Sequence, residues 1–369
     1  MPENRKQISL SKQKRALLVL ECSVGFRPAG SVWVLLLALR GFSLVEIGLA
    51  EAVFHVVSLC GELPSGLLAD TLGRKRTLVS SQFMFLLAAL LMILSRGMGG
   101  VCLSLAAQSL AYNLQSGTRE AVTYESMLQA GQEAGYLKFS SLQNSVYRFS
   151  SGGAMLLAGA TVLLDWRAAY LLDAAAALAG LAAALSLTEP GCVDRAGVTW
   201  AALPAALRGT VRGAWGLLRS DGAAVRIMLV NALVGACATL TGFFLQQRVE
   251  AAVTVPALLG PALFVLGLGG GLAALVTERL DRLPYGRAAA LCGAGVLICA
   301  LAVRRGALPV LMLSGFLAGL LDDGLQLVSD KRLNDRFPSA QRATLVSVSS
   351  MAFSLVMIPL SPLAGWWFS

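Results

Sequence analysis

Long apolar runs separated by short polar segments repeat along the whole chain. A helix needs roughly 20 mostly apolar residues to cross the hydrocarbon core of a bilayer. We predict about eleven such helices, with boundaries good to about four residues. They fall at residues 16–38, 44–69, 77–95, 98–116, 144–163, 167–187, 224–247, 257–277, 287–303, 308–328 and 343–366. The pattern therefore predicts an all-α polytopic membrane protein.

Composition supports this class. The 369 residues are 56% hydrophobic and only 14% charged, whereas about 25% of a soluble domain is charged. The mean hydropathy is +0.69. The basic segment 1–15 leads into a full-length span, which is not typical of a cleaved signal peptide. The seven cysteines show neither metal-site spacing nor a disulfide framework, so we predict small buried side chains.

The net charge of +9 follows the predicted topology. Most of the lysine and arginine residues lie in every second segment between spans, counted from the N-terminal segment. Cytoplasmic loops carry such an excess of basic residues, so we predict a cytoplasmic N-terminus. The basic residues then serve orientation and contact with lipid headgroups. We predict no nucleic-acid partner.

Enzyme and cofactor motifs are missing from the sequence. It has one histidine, no His-Glu-x-x-His and no phosphate loop that ends in Gly-Lys-Ser/Thr. We therefore predict no catalytic site, no cofactor and no metal. Gly267, Gly269, Gly270 and Gly271 lie within a span with no preceding strand, so we predict a packing surface for a neighbouring helix rather than a nucleotide loop.

A glycine-rich and basic segment joins the second and third spans. It contains Gly66, Asp70 and Gly73, followed directly by Arg74-Lys75-Arg76. We predict that a neighbouring backbone comes close at Gly66 and that Gly73 permits a tight reversal. This spacing resembles the signature loop between helices 2 and 3 of the major facilitator superfamily. Weaker similarities are Ser116–Ala121, which includes Glu120, and the segment from Asn334 to Thr344, which includes Arg342. Glu278–Arg282 with Gly286 and Arg287 repeats the loop weakly in the second half.

The resemblance implies a fold of two pseudo-symmetric six-helix halves. We expect an N-terminal half at 1–187, a cytoplasmic linker at 188–223 and a C-terminal half at 224–369, without the family's twelfth helix. In the family the signature loop latches the halves together, so Asp70 is expected to face the start of the last span. The expected latch residues are Gly66, Asp70, Gly73, Arg74, Lys75, Arg76, Glu120 and Arg342. Motifs of the family's drug exporters are absent from spans four and five.

Polar residues inside the spans are functional candidates, because they are costly in the bilayer. Glu51, His55 and Glu62 share one face of the second span. Arg27 and His55 each lie about 15 Å from the start of their span, near the midplane. Two interpretations stay open. Either these residues line a substrate and proton pathway, or Arg27 pairs with Glu51 or Glu62 and only holds helices together. His55 is either a proton carrier or a hydrogen-bonded packing residue.

The second half offers another set of polar candidates. Asp322 and Asp323 are adjacent, and adjacent carboxylates in a bundle repel, so one could stay protonated. The alternative is that they lie near the cytoplasmic side and pair with Lys331. Asn231 in the seventh span is a predicted substrate contact.

These features together predict a secondary transporter of a small molecule, which uses a proton or other coupling ion and alternating access. We expect a monomer in a bacterial inner membrane, with the lipid bilayer as a further partner. The alternative is a non-transporting membrane sensor, or a truncated remnant, built on the same fold.

Overall fold

The computed structural model describes residues 9–191, 221–337 and 342–369, with positions 205, 208, 209, 212, 216 and 219, and these residues contain no strand. The α-helices of the described ranges are labelled here in chain order. They are α1 (Leu10–Gly25), α2 (Pro28–Ser31), α3 (Trp33–Leu39), α4 (Leu44–Leu72), α5 (Arg74–Leu94), α6 (Met98–Gln115), α7 (Thr118–Gln129), α8 (Tyr136–Leu164), α9 (Trp166–Ser186), α10 (Gly222–Ala252), α11 (Leu259–Gly271), α12 (Ala274–Asp281), α13 (Tyr285–Val303), α14 (Leu308–Arg336) and α15 (Arg342–Phe368). Single turns of 3₁₀ helix span Glu133–Gly135 and Pro256–Leu258. Within these described ranges, eight helical segments are long and apolar enough to cross a membrane. The predicted all-α polytopic architecture is confirmed.

The residues pack into two compact units. The first comprises Met1–Ser31, Cys60–Ala154 and Trp166–Arg208, and the second comprises Val32–Leu59, Met155–Asp165 and Gly209–Ser369. The second unit therefore includes the first part of α4 and the end of α8. Each unit is described by itself below. The predicted division of the sequence at 187 and 224 stays a prediction, and most of the predicted linker lies outside the described residues.

In the first unit, an apolar core joins α1, α5, α7 and α9. Leu17, Leu20, Leu78, Met127 and Leu187 are almost completely buried in it. Other leucines of the same helices, such as a stripe at every seventh position of α9, are more than half exposed. Lipid tails are as apolar as leucine, so tight packing rather than burial from water holds these helices together.

The first predicted span is interrupted near its middle. Residues that precede proline disfavour helical backbone, and Arg27 precedes Pro28. Accordingly α1 ends at Gly25, and α2 begins at Pro28. The Asp173 carboxylate on α9 accepts hydrogen bonds from the backbone N–H groups of Ala29 (2.9 Å) and Gly30 (3.2 Å). A carboxylate in an apolar helix thus satisfies the donors that the break leaves open.

In the second unit, glycines allow helix backbones to touch. A Cβ atom on Gly48 of α4 would collide with the carbonyl of Ser361, and one on Gly365 of α15 would collide with the carbonyl of Leu44. Small residues permit this contact between membrane helices. Another contact confirms a predicted packing surface, because Gly269 of α11 lies against the backbone of α14.

Candidate functional site

A polar cavity of about 330 Å³ lies in the first unit, between α1, α7 and α8. It is lined by Glu21, Arg119, Glu120, Thr123, Tyr136, Ser140, Gln143, Asn144 and Tyr147. Arg119 Nη1 donates to Glu21 Oε2 at 2.6 Å, and Gln143 Nε2 donates to Glu21 Oε1 at 3.4 Å. We call this space the charged cavity.

The ion pair gives the charged cavity a specific chemistry. Arg119 is always protonated, so it needs a carboxylate or another acceptor. Its Nε atom is buried and makes no hydrogen bond to the residues that the structure describes. Protonation of Glu21 would remove the partner's charge and leave the guanidinium available to another acceptor. The pair can therefore couple the charge state of Glu21 to what Arg119 binds.

The sequence patterns above single out neither Glu21 nor Arg119. A signal was present, because Glu21 lies inside the predicted span 16–38 and an ionisable residue there is a functional candidate. Its partner is 98 positions away in sequence. Helix periodicity carries no information about such a contact.

The second unit has a cavity of about 430 Å³ between α10, α14 and α15. It is lined by Met228, Asn231, Ala232, Gln326, Asp330, Leu333, Asn334, Leu345, Val346, Ser349, Ser350 and Phe353. Asn231 Nδ2 donates to Gln326 Oε1, and Gln326 Nε2 donates to both Asp330 oxygens at 3.0 and 3.1 Å. We call it the amide cavity. It includes Asn231, the predicted substrate contact.

Two of the predicted pathway residues contact each other on α4. His55 Nε2 lies 3.3 Å from Glu51 Oε1, and His55 Nδ1 lies 3.3 Å from Ser354 Oγ on α15. Both side chains of the pair are buried, and the His55 ring packs edgewise on Phe54 and Phe353. An imidazole beside a carboxylate can hold or release a proton. The geometry also suits a hydrogen-bonded packing residue, so both interpretations of His55 stay open.

Arg27 lies in the break of the first span, in the first unit. Its guanidinium carbon is 3.5 Å from the centroid of the Phe85 ring. The Asp173 carboxylate is close enough to interact electrostatically. Nε and Nη2 of Arg27 make no hydrogen bond within the described part of the chain. Sequence analysis predicted neither neighbour, and a pairing of Arg27 with Glu51 or Glu62 stays a prediction.

The adjacent aspartates of α14 face different neighbours. A Cβ atom on Gly235 of α10 would lie 3.3 Å from Asp322 Oδ1 and 3.5 Å from the Phe353 ring. Asp323 packs instead against Gly270 of α11. Asp322 therefore lies next to an aromatic ring that also lines the amide cavity.

The signature loop is fixed within the first unit. Gly73 has a φ of 96°, a left-handed conformation that glycine adopts at no steric cost, so the predicted tight reversal is confirmed. Glu189, just after α9, accepts from the backbone N–H groups of Arg74 (2.8 Å) and Lys75 (2.7 Å). A carboxylate at a helix start satisfies open donors and complements the helix dipole. Sequence analysis did not identify Glu189.

Side chains complete the loop's contacts. Arg74 pairs with Asp70 at 3.0 Å and with Glu125 of α7 at 3.3 Å. A Cβ atom on Gly66 would meet no atom of the described residues within 4 Å, so the expected close approach there stays a prediction. Arg342 is the first residue of α15, and its side chain lies outside the described part. Lys75 and Arg76 continue α5 from the loop, and Glu120 lies 3.8 Å from Arg119.

Comparison with known proteins agrees with this architecture. The family model for the Major Facilitator Superfamily matches residues 23–303. A crystal structure of the nucleoside transporter NupG (D323A mutant) has a TM-score of 0.75 at 15% identity, and the match covers 96% of this chain and 91% of that one. The structure of a D-xylose-proton symporter has a TM-score of 0.67 at 15% identity, covering 96% and 89%. No curated protein matches the sequence.

Proposed function

Because the chain belongs to the major facilitator superfamily, a family of membrane transporters, we propose that it is a proton-coupled secondary transporter of a small molecule. The observation that carries this proposal is the Glu21–Arg119 ion pair in the wall of the charged cavity. A coupled carrier needs a titratable group beside the space that the substrate enters. Glu21 is such a group, and Arg119 is the residue that responds when Glu21 takes up a proton.

Other titratable groups extend the proposed pathway. Glu51 and His55 form a buried pair on α4, and Glu62 lies further along the same helix. Asp322 lies at the middle of α14. Charged side chains at this depth are costly in a bilayer unless they bind a partner or a proton. We assign these groups to proton transfer and Arg27 to the support of the broken first span.

The signature loop is proposed as the conformational latch. Alternating access requires two states whose free energies differ by a few kcal/mol, so about 1 kcal/mol at the latch changes their populations. Asp70, which pairs with Arg74 within the first unit, is the proposed latch carboxylate. The proposed orientation, with a cytoplasmic N-terminus, places this loop on the cytoplasmic side of a bacterial inner membrane.

Transport in proteoliposomes tests the proposal. Structurally similar proteins are a nucleoside transporter and a D-xylose-proton symporter, so radiolabelled uridine and D-xylose are the first probes of a broader metabolite panel. We expect an imposed proton gradient to drive accumulation of at least one probe, and a protonophore to abolish it. Accumulation that ignores the proton gradient would contradict proton coupling.

Glu21→Gln separates coupling from movement of the substrate. The variant retains shape and hydrogen bonding but does not titrate, so gradient-driven accumulation should be lost while exchange of labelled for unlabelled substrate continues. Glu133→Gln, at an exposed glutamate outside the charged cavity, is the matched control and should behave as the native protein. Equal accumulation by Glu21→Gln and the control would remove Glu21 from the mechanism.

A further inference from the structure

We propose that the amide cavity binds a neutral ring compound with several hydroxyl groups, and that this is the transported substrate. The claim that this compound is transported rests on the proposed function. Its binding needs no gradient and can be measured separately. It concerns the second unit alone. The proposal commits to the charge, the hydrogen-bonding groups and the shape of the ligand.

The charge of the lining argues against an anionic ligand. Among the described residues that line the amide cavity, there is one carboxylate, Asp330, and no lysine, arginine or histidine. An anion would meet the negative charge of Asp330 without a compensating cation. Five uncharged hydrogen-bonding side chains surround that carboxylate, which are Asn231, Gln326, Asn334, Ser349 and Ser350. Gln326 already donates to both oxygens of the carboxylate, so we infer that the lining recognises hydroxyl and amide groups rather than a cation.

The hydrogen bonds orient these groups. Asn231 donates to Gln326, and Gln326 donates through its one nitrogen to both oxygens of Asp330. Ionised carboxylates accept about four hydrogen bonds, so Asp330 has capacity beyond what Gln326 uses. Adjacent hydroxyl groups on a ring present donors at the spacing of the two carboxylate oxygens. Asp330 would accept from such a pair, as it now accepts from Gln326.

The rest of the lining suits the flat face of a ring. Phe353 presents an aromatic surface, and Met228, Leu345 and Val346 supply apolar contacts. Pockets for small ligands combine mostly apolar walls with a few fixed polar groups that set orientation. The cavity volume of about 430 Å³ lies within the usual range of about 300–1,000 Å³ for such pockets. A monosaccharide or a nucleoside meets both the polar and the apolar requirement.

Thermal unfolding of the detergent-purified protein tests the ligand class. The probes are a panel of nucleosides, pentoses and hexoses, with choline as a cation and benzoate as an anion. A ligand of the folded state raises the melting temperature. We expect at least one neutral hydroxylated probe to raise it, and choline and benzoate to leave it unchanged. A rise with choline or benzoate alone, or with no member of the panel, would overturn the inference.

Hydroxyl groups are tested with a matched pair of ligands. If uridine binds, dideoxyuridine keeps the base and the ring but lacks the adjacent hydroxyls. For a bound sugar, the corresponding deoxy sugar serves instead. Loss of hydrogen bonds to the polar groups of the lining should weaken binding by about tenfold or more. Equal binding of the two ligands would contradict recognition of hydroxyl groups.

A variant places the ligand in the amide cavity. Gln326→Leu removes the central amide at similar size, so the dissociation constant of the bound probe should rise about tenfold or more. Ser347→Ala, on α15 but outside the lining, is the control and should bind as the native protein does. Should Gln326→Leu not fold, Ser349→Ala with Ser350→Ala gives the same test. Native affinity in the lining variants would place the ligand elsewhere.

These binding measurements and the transport assay fail separately. A probe that binds in detergent but does not accumulate under a proton gradient leaves the ligand class standing and removes proton coupling. Accumulation of a charged compound, with no binding of any neutral probe, would leave transport standing and remove the ligand class.

Discussion

The two units each contain a polar cavity, and the cavities differ in how their charged side chains are paired. The charged cavity contains an ion pair, Glu21 with Arg119 at 2.6 Å. The amide cavity contains a chain from Asn231 through Gln326 to a single carboxylate, Asp330. An ion pair responds strongly to protonation, whereas neutral amides do not titrate in the physiological range. In the proposed function, the first unit supplies proton coupling and the second supplies substrate recognition.

The largest expected effect comes from breaking the ion pair. Arg119→Ala leaves Glu21 without its cation, and removal of one partner of a buried pair costs about 3–5 kcal/mol. We expect about 3 kcal/mol, because the Arg119 side chain is 20% exposed. The measurement is the free energy of unfolding in detergent micelles. The double variant Glu21→Gln with Arg119→Ala should recover most of this loss, since no unpaired charge remains.

The amide cavity provides the contrast for that experiment. Gln326→Leu removes the hydrogen bonds to Asn231 and to the Asp330 carboxylate at an exposed site, and we expect a loss of about 1 kcal/mol. If Arg119→Ala and Gln326→Leu cost the same, the distinction between a cavity built on an ion pair and one built on amides has no energetic meaning. The difference between the two losses in free energy of unfolding therefore tests whether the cavities differ energetically.

The sequence predicts local features of the candidate site better than distant ones. The spacing of Glu51 and His55 on one helix face predicted that they are neighbours, and they lie 3.3 Å apart. Gly73 predicted a reversal because few other residues adopt a positive φ. Both features depend on residues within about one helix turn. Pro28 is likewise a local signal for the break in the first span, because the residue before a proline disfavours helical backbone.

Contacts between distant helices could not be predicted in this way. Glu21 meets Arg119, and Arg27 meets Phe85, only because α1 packs among α5, α7 and α9. The sequence shows that a buried charge needs a partner, but several partners are available at matching depth. For Arg27 the predicted partners were carboxylates, whereas the structure adds an aromatic ring. The choice depends on tertiary packing.

A second prediction tests whether the other buried cation of the first unit is held by its aromatic neighbour. Arg27 lies over the Phe85 ring at 3.5 Å, and a desolvated cation–π contact contributes about 2 kcal/mol. A double-mutant cycle of Arg27→Met and Phe85→Leu, measured by unfolding, should give a coupling energy of about 1–2 kcal/mol. Additive losses would show that Phe85 only fills space beside Arg27.

A third prediction asks whether a charge of the first unit acts on conformation rather than on binding. The partly exposed ion pair of Asp70 with Arg74 contributes about 0.2–1 kcal/mol, so Asp70→Asn should change the ratio of the two proposed states by about a few fold and favour the inward-open one. Introduced cysteines on each face, labelled with a membrane-impermeant reagent, measure this ratio. Glu133→Gln is the control. Unchanged labelling in Asp70→Asn would contradict the latch.

We expect the smallest effect at Asp221. This residue forms an ion pair in the second unit, and the pair lies at a helix end. Asp221 caps α10 by accepting from the N–H groups of Ala223 (2.9 Å) and Ala224 (3.1 Å), and Arg336 donates to it at 2.9 Å. The hydrogen bond from Ala224 and the contact with Arg336 hold the pKa of Asp221 below its usual range.

A lowered pKa stabilises the folded protein only while the carboxylate is ionised. The contribution of Asp221 is therefore complete above its unfolded pKa of about 3.9 and is lost as the pH falls through the lower folded value. Asp221→Asn keeps a capping side chain but cannot titrate. Between about pH 6 and pH 3, the melting temperature of the native protein should thus fall slightly more than that of Asp221→Asn. Parallel curves would show that the charge of Asp221 does not stabilise the fold, because the cap alone then accounts for its role.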